Sequence, residues 1–337
     1  MPNPRLVYPI FTFVFLFLFY QFLPHGGAVQ KTASGPSYRL FNSSSPLPSS
    51  RYAIATFLTG QSADPNYFTA ARILAYQLLH ANGTRLDLAS SISFLVLCSS
   101  SVPEEQKVLL TDEGTTVVEV DDVKLPWWVK TGVTRWKEQF TKLRIFEMTQ
   151  YERVLFIDAD TLVAQPLDAI FHEPEVKSLA PRLDRAKQQR RDEAALPASW
   201  FFAARSDNAL TGERAHPIPP LQTPNFSAGF WIAAPDKLLF AHMMSVMQHW
   251  RRFDPHTMEQ SLLNYVFRRE GCMPWRELDW RWSATWPGER DLNAGVRTLH
   301  EKFWKVGGTE VEELKRRWVK ERERMGRFYR GAGEDGE

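Results

Sequence analysis

Four short apolar runs alternate with segments of helical periodicity between residues 51 and 157. The runs are rich in β-branched and aromatic side chains, and they lack the regular polar alternation of a strand that has one face in water. Such runs are typical of strands in a parallel sheet that helices cover on both faces. The predicted strands are residues 51–59, 91–99, 115–120 and 153–157.

Apolar positions at helical spacing predict three helices between these strands. The first covers residues 67–80, the second begins at Pro103, and the third covers residues 135–148. One stripe of the third helix is apolar: Trp136, Phe140, Leu143 and Phe146. The alternation predicts an α/β fold with a mixed, mainly parallel sheet flanked by helices.

After residue 175 the alternation is less regular, but no second linker or internal repeat divides the chain. We predict one domain over residues 51–308 and a charged C-terminal helix and tail over residues 309–337. The later strands and helices are predicted at residues 200–205, 226–234, 236–250 and 257–268. The C-terminal helix has one apolar face, which predicts packing on the domain: Val311, Leu314, Trp318 and Met325.

The N-terminus contains a candidate membrane signal. Residues 6–23 carry no charge over eighteen positions. As a helix they would extend about 27 Å at ~1.5 Å per residue, just enough to cross the core of a bilayer. We predict a single-pass type II anchor after a short tail of residues 1–5. The small residues 26–28 leave cleavage as a signal peptide open, and cleavage would give a secreted protein.

Residues 24–50 predict a flexible stem between the anchor and the domain. Within them, residues 26–50 hold seven Ser, three Gly and three Pro, so the segment buries too little apolar surface to fold alone. Asn42 begins an N-glycosylation sequon in this stem, and further sequons begin at Asn82 and Asn225. We expect a Golgi membrane glycoprotein whose domain lies in the lumen.

Composition narrows the classes of function. The 337 residues are 44% hydrophobic and 24% charged, which excludes an intrinsically disordered chain. The formal net charge of +2 gives no support for a nucleic-acid partner. With two cysteines, Cys98 and Cys272, the chain is neither a disulfide scaffold nor a multi-cysteine zinc module. We favour two buried thiols over one disulfide bridge.

Two carboxylates follow the fourth predicted strand. Asp158 and Asp160 are two residues apart, so in an extended chain both side chains point the same way. Carboxylates that converge in a partly buried crevice repel each other unless a cation lies between them, and Mn²⁺ or Mg²⁺ is the natural ion. A turn Asp beside a helix-capping Asp is the alternative. An aspartyl-phosphate hydrolase of the haloacid dehalogenase type is disfavoured, because Thr161 falls one position too early for its motif.

The segment around these carboxylates resembles a known family. Residues 141–143 (TKL) and 151–163 (YERVLFIDADTLV) are similar to the TKL and Y-x-K-V-L-Y-L-D-A-D-T-L-V block of family 8 glycosyltransferases. The resemblance implies a GT-A fold, a nucleotide-sugar donor that is usually a UDP-sugar, Mn²⁺, and transfer with retention of anomeric configuration. It also implies a glycan or glycoprotein acceptor.

The resemblance implies functional roles for individual residues. Asp158 and Asp160 would bind the metal, with His300 as the third ligand. His300 begins a segment similar to the family's H-x-x-G-x-x-K, although the Gly is absent here. In that segment Lys305 would contact phosphate. Glu259 and Gln260 match a D-Q pair beside the anomeric carbon, although Thr257 and Gln260 also fit a helix capping box. The implied donor-binding residues are Thr56, Phe57, Leu58, Tyr67, Lys142, Asp158, Ala159, Asp160, Ser227, Ala228, Gly229 and Lys305.

Several questions stay open at the level of sequence. Lys142 either contacts the nucleotide-sugar donor or is a solvated surface lysine. Ser227 replaces the Asn of the family pattern, which leaves the sugar specificity open. Trp127 and Trp128 are the candidates for stacking on an acceptor sugar. A catalytically impaired scaffold and a carbohydrate-binding ectodomain are the alternatives to an enzyme. Among enzymes, a fungal-type α-N-acetylglucosaminyltransferase competes with a hexosyltransferase.

Overall fold

The computed structural model describes residues 37–60, 64–131, 135–208, 211 and 213–331. The predicted membrane span, residues 6–23, lies outside the described residues, as does the predicted stem up to residue 36. Within the described ranges, no helix combines the length and the apolar character needed to cross a membrane.

The described residues form a mixed α/β fold, as predicted. The main sheet has the strand order β1-β4-β3-β2-β5-β8-β7-β9, and β10-β11-β6 form a smaller sheet. The strands are β1 (Tyr38–Leu40), β2 (Tyr52–Leu58), β3 (Ile92–Cys98), β4 (Thr116–Val120), β5 (Arg153–Ile157), β6 (Thr161–Val163), β7 (Phe202–Ser206), β8 (Phe226–Ala233), β9 (Arg276–Glu277), β10 (Ala284–Thr285) and β11 (Thr298–His300).

The centre of the main sheet is parallel, as the four apolar runs predicted. Strands β4, β3, β2 and β5 pair in parallel, and every residue of β2 is buried. Antiparallel β8 pairs with β5 on the other side, so its Phe230 lies opposite Ile157 at the end of β5. This pairing brings β8 alongside the segment that carries the two carboxylates.

Helices cover both faces of the sheet. The α-helices are α1 (Asn66–Leu79), α2 (Glu104–Asp112), α3 (Arg135–Glu138), α4 (Lys237–Met247), α5 (Met258–Val266), α6 (Glu289–Asn293) and α7 (Glu312–Tyr329). The 3-10 segments are Leu88–Ser90, Gln139–Glu147, Asp168–His172, Pro174–Val176, Leu183–Gln188, Glu213–Ala215, Pro255–Thr257, Trp280–Trp282 and Thr309–Val311. Two clusters of buried apolar residues occupy the two faces of the main sheet, and α7 packs in a third cluster with α1.

The third predicted helix is only partly α-helical. It begins as α3 and continues as the 3-10 segment Gln139–Glu147. Phe140, Leu143 and Phe146 are spaced three apart and are fully buried. Three residues per turn place such positions on one face of a 3-10 helix, so the same stripe suits this geometry.

One boundary differs from the predictions. The prediction of a flexible stem up to residue 50 was wrong for Tyr38–Leu40, which pair antiparallel with β4 as strand β1. The predicted apolar face of the C-terminal helix is confirmed, because its four members are buried. Cys98 and Cys272 are buried and not bonded to each other, as favoured from the sequence.

Candidate functional site

A cavity of about 450 Å³ lies where β2 and β5 end. This is the edge at which open α/β sheets bind ligands, because the carboxyl ends of parallel strands leave a crevice there. The lining residues are Phe57, Leu58, Thr59, Tyr67, Gln139, Lys142, Asp158, Ala159, Asp160, Ser227, Ala228, Gly229, His256, Thr257, Met258, Glu259, Gln260, His300 and Lys302.

Strand pairing brings His300 to the two carboxylates. Strand β11 runs antiparallel to β6, with His300 opposite Thr161, the residue after Asp160. Nε2 of His300 lies 3.0 Å from Oδ1 of Asp160 and 3.6 Å from Oδ2 of Asp158. The small sheet therefore brings together three side chains that the sequence separates by some 140 positions.

Asp160 and His300 each favour the charged form of the other. Burial opposes ionisation of Asp160, but the neighbouring His300 outweighs burial and lowers the pKa of Asp160 below its usual range. Burial would lower the pKa of His300, but Asp160 outweighs it, so the pKa of His300 is raised. Asp160 is thus ionised over the physiological range of pH.

The trio fits a divalent cation. One ligand atom from each of Asp158, Asp160 and His300 lies within 4.8 Å of the others. Two carboxylates and one imidazole form a donor set that suits Mn²⁺, whereas Mg²⁺ prefers oxygen ligands alone. Gly229 leaves the space that this arrangement needs: a Cβ there would lie 2.4 Å from Cε1 of His300 and 2.9 Å from Oδ2 of Asp158.

Lys142 is a buried cation and not a solvated surface residue. Its Nζ donates to Oδ1 of Asp158 at 2.8 Å and to Oε1 of Glu259 at 2.9 Å, and its side chain is 6% exposed. Burial would lower the pKa of Lys142, but the two carboxylates outweigh it and raise the pKa. For Glu259 burial is the larger influence and raises the pKa of the carboxyl, with Lys142 opposing it.

Gln260 is held by hydrogen bonds from both ends of its amide. Its Oε1 accepts from the backbone N–H of Ala228 at 3.0 Å, and its Nε2 donates to Oδ2 of Asp207 at 3.2 Å. The capping-box alternative was wrong, because the side chain of Thr257 makes no capping hydrogen bond to α5. No motif pointed to Asp207, which is distant from Gln260 along the chain.

The residues predicted to hold the nucleotide base are only partly in the cavity. Phe57, Leu58 and Tyr67 line it, but Thr56 is fully buried within β2 and lies outside the lining. Phe57 and Leu58 are the last two residues of β2, whereas Thr56 lies one position farther from the strand end at which the cavity opens. Thr59, which follows β2 and was not predicted, lines the cavity.

Lys302, which was not predicted, lines the cavity, whereas Lys305 does not. Lys305 Nζ forms an ion pair with Oδ2 of Asp64 at 2.7 Å, while Lys302 lines the cavity with its Nζ 3.8 Å from Oδ2 of Asp160. In the turn that follows β11, the backbone N–H of Lys305 donates to the carbonyl of Lys302. This turn directs Lys305 away from the cavity. The i, i+2 spacing of His300 and Lys302 was the available signal.

His256 also lines the cavity and was missed by sequence reasoning. It lies in the 3-10 turn before α5, where its Nδ1 is 2.8 Å from Oδ1 of Asp254. The same carboxylate oxygen accepts from the backbone N–H of His256 at 3.0 Å, so the turn and the ring are fixed together. Trp127 and Trp128 do not line this cavity in the described structure; Trp128 is buried against Phe253.

A family model described as Glycosyl transferase family 8 matches residues 61–303 of the chain. The chain belongs to glycosyl transferase family 8. The matched region includes the cavity lining from Tyr67 onward, with Asp158, Asp160 and His300, and this membership indicates a glycosyltransferase.

Individual relatives of this family 8 chain are distant. A Schizosaccharomyces pombe protein named only as uncharacterized is 29% identical, over 78% of this chain and 75% of its own length. Glucose N-acetyltransferase 1 of Candida glabrata is 29% identical over 40% of this chain and 26% of its own length. A solved structure of galactosyltransferase LgtC with donor and acceptor sugar analogs is 14% identical with a TM-score of 0.47, covering 80% of this chain and 95% of that one.

Proposed function

We propose that this family 8 chain is a divalent-metal-dependent glycosyltransferase that moves a sugar from a UDP-sugar to a hydroxyl of a glycan or glycoprotein, with retention of configuration. The observation that carries the proposal is the convergence of Asp158, Asp160 and His300 in the cavity at the end of β5. A carbohydrate-binding ectodomain would have no use for these three side chains.

The trio and one lysine account for recognition of the diphosphate. Asp158, Asp160 and His300 would hold Mn²⁺, or less favourably Mg²⁺. The cation, when bound, offsets the negative charge that develops on the leaving diphosphate. Lys302 adds a positive charge on the same side of the cavity, 3.8 Å from Asp160.

Glu259 and Gln260 support the reacting end of the donor. Both line the cavity at the start of α5, and each is held by a partner: Glu259 by Lys142, and Gln260 by Ala228 and Asp207. Fixed groups of this kind orient a substrate without needing to reorganise during the reaction. We assign them to the sugar and anomeric carbon, in agreement with the D-Q position they occupy.

For the donor sugar we favour N-acetylglucosamine over glucose and galactose. The support is the likeness of the sequence to fungal members of the family, together with Ser227. Ser227 lines the cavity with a side chain shorter than the family Asn, and a shorter side chain leaves more room for an N-acetyl group. A Golgi location with a lumenal domain remains a proposal that depends on the predicted span at residues 6–23.

The test is release of UDP by the full chain from UDP-N-acetylglucosamine, UDP-glucose, UDP-galactose and UDP-glucuronate, with Mn²⁺ and with EDTA. We expect Mn²⁺-dependent release from one sugar. Asp160→Asn should reduce it at least 100-fold, because the substitution removes a charged ligand of the ion. Asp184→Asn, at an exposed position outside the cavity, is the matched control and should behave as wild type.

Two outcomes would contradict the proposal. Release that persists in EDTA and in Asp160→Asn would overturn the metal site. Absence of release from every sugar, with calorimetry showing that UDP and Mn²⁺ bind the folded chain, would favour the catalytically impaired scaffold.

A further inference from the structure

We call the cavity at the ends of β2 and β5 the donor cavity. A second cavity, of about 680 Å³, lies beside it in the described part of the chain. It is formed by the loop after β4 together with α3 and the start of the 3-10 segment Gln139–Glu147. We call it the Trp127 cavity, because the indole of Trp127 lines it and Trp127 is 84% exposed. Its charged lining residues are Asp122, Lys130, Lys137 and Glu138.

Two structural links tie the Trp127 cavity to the donor cavity. Neighbouring residues of one short segment line both: Glu138 faces the Trp127 cavity and Gln139 the donor cavity. In addition, the ring of Trp128 packs on Phe253 with centroids 5.2 Å apart, and Phe253 is three residues before His256 in the donor cavity wall. The two cavities therefore share one stretch of wall at Glu138 and Gln139.

The side chains of the Trp127 cavity are partly prearranged. Oε2 of Glu138 accepts from Ser99 and Ser101, each at 2.8 Å, and from the hydroxyl of Thr59. Asp122 accepts from the hydroxyl of Ser100 at 2.6 Å. These bonds fix both carboxylates at the ends of β3 and β4, so less side-chain entropy is lost when they accept a hydrogen bond from a ligand.

We propose that the Trp127 cavity binds a neutral hexose or N-acetylhexosamine unit of the acceptor glycan; the inference rests on the proposed function. The broad face of an exposed indole stacks on the C–H face of a sugar ring. Two carboxylates and two lysines around it supply acceptors and donors for hydroxyl groups, and their charges balance. A balanced set suits an uncharged polyhydroxylated ligand better than a phosphate or a polyanion.

The position of Trp127 also explains the pair Trp127-Trp128. Trp128 is buried against Phe253 and anchors the loop, while its neighbour projects outward into the cavity. The buried Trp128 thus holds the backbone from which Trp127 reaches the cavity.

The test compares Trp127→Ala, Trp127→Phe and Trp250→Ala in the full chain. Trp250 is 64% exposed and lies on Arg251 outside both cavities, so it is the matched control. The probes are methyl glycosides and β-linked or α-linked disaccharides of mannose, glucose, galactose and N-acetylglucosamine. For the glycoside that accelerates UDP release, Trp127→Ala should raise the acceptor KM about tenfold. This is the change expected when one stacked ring that contributes ~1.4 kcal/mol is lost. The donor KM should change far less, Trp127→Phe should recover part of the loss, and Trp250→Ala should match wild type.

A direct binding measurement separates this inference from the proposed function. Saturation-transfer NMR with the same glycosides needs no donor and no turnover. Contacts that are seen with wild type and Trp250→Ala but lost in Trp127→Ala support the cavity even if no UDP-sugar is turned over. An unchanged acceptor KM in Trp127→Ala, or equal NMR contacts in all variants, would overturn the inference.

Discussion

The ammonium group of Lys142 lies 2.9 Å from Oε1 of Glu259, and both side chains are buried. Lys142 belongs to the 3-10 segment after α3 and Glu259 to the first turn of α5, so the pair joins two elements that are 117 positions apart. The same ammonium also binds Asp158 at the end of β5. One buried cation therefore holds in place Asp158, a carboxylate of the proposed metal site, and Glu259, a carboxylate that lines the same cavity.

Removal of the Lys142 charge should destabilise the fold. Lys142→Met keeps the apolar stem but leaves the buried Glu259 carboxylate without its cation. Loss of one partner of a buried pair costs about 3–5 kcal/mol, because the other charge remains desolvated. We expect a fall of at least 2 kcal/mol in the free energy of unfolding, measured by urea denaturation.

A second substitution tests that explanation. Glu259→Gln in the Lys142→Met background removes the unpaired charge and should recover part of the lost stability. Equal stability of the single and double variants would show that the cost of Lys142→Met comes from packing and not from the carboxylate. A double-mutant cycle with Glu259→Gln alone gives the coupling energy.

The parts of the site that follow from local sequence were predictable. Asp158 and Asp160 stand two apart after the apolar β5, so strand alternation and the position of strand ends are enough to place them together. The apolar runs of β2 and β3 indicate a parallel sheet, because they lack polar alternation. His300 was placed only through the likeness to family 8, because its approach depends on the long-range pairing of β11 with β6.

Lys302 shows why the rest was not predictable. The family spacing pointed to Lys305, yet a turn after β11 carries Lys305 to Asp64, and loop conformation is not set by spacing alone. Strand β1 was hidden for a similar reason: Tyr38–Leu40 is short and lies in a Ser-rich segment. It becomes a strand only by pairing with the edge of β4.

Gly229 should be required for the metal site. A Cβ at this position would lie 2.4 Å from Cε1 of His300 and 2.6 Å from its Nδ1, so Gly229→Ala must displace the imidazole. We expect the Mn²⁺ concentration for half-maximal UDP release to rise at least tenfold. Ala228→Gly, the neighbouring substitution in β8, controls for changes in the strand itself. An unaltered Mn²⁺ titration in Gly229→Ala would contradict the proposed place of His300.

The two lysines near the end of the domain should have separable effects. Lys302→Ala removes a positive charge from the donor cavity, and charge-assisted hydrogen bonds are worth about 1.5–3 kcal/mol. We therefore expect the Kd of UDP with Mn²⁺, measured by calorimetry, to rise about tenfold or more. Lys305→Ala breaks the ion pair with Asp64 outside the cavity lining and should leave this Kd within about threefold of wild type, since a half-exposed pair contributes little. The reverse order of effects would restore Lys305 as the phosphate contact.

His216 should make stability depend on pH. Its Nδ1 is 2.8 Å from the carbonyl of Pro217 and its Nε2 is 3.4 Å from Oδ1 of Asp291, so both nitrogens face acceptors. Two acceptors favour the doubly protonated ring, and Asp291 above all raises the pKa of His216, although burial opposes this. A histidine whose pKa is higher in the folded state than in the unfolded state stabilises the fold when it is protonated. This contribution is fully present below the pKa of the unfolded state, about 6.5, and is lost as the pH rises through the pKa of the folded state.

We therefore expect the free energy of unfolding of wild type, minus that of His216→Gln, to be larger at pH 6 than at pH 8.5. Taking the difference between the two proteins at each pH cancels the titration of other groups, His300 included. Urea denaturation at both pH values gives the four free energies. A difference that stays constant, or grows with pH, would show that His216 is not protonated in preference in the folded chain. His249→Gln, at a partly exposed histidine beside Asp192, gives the comparison for a less buried pair.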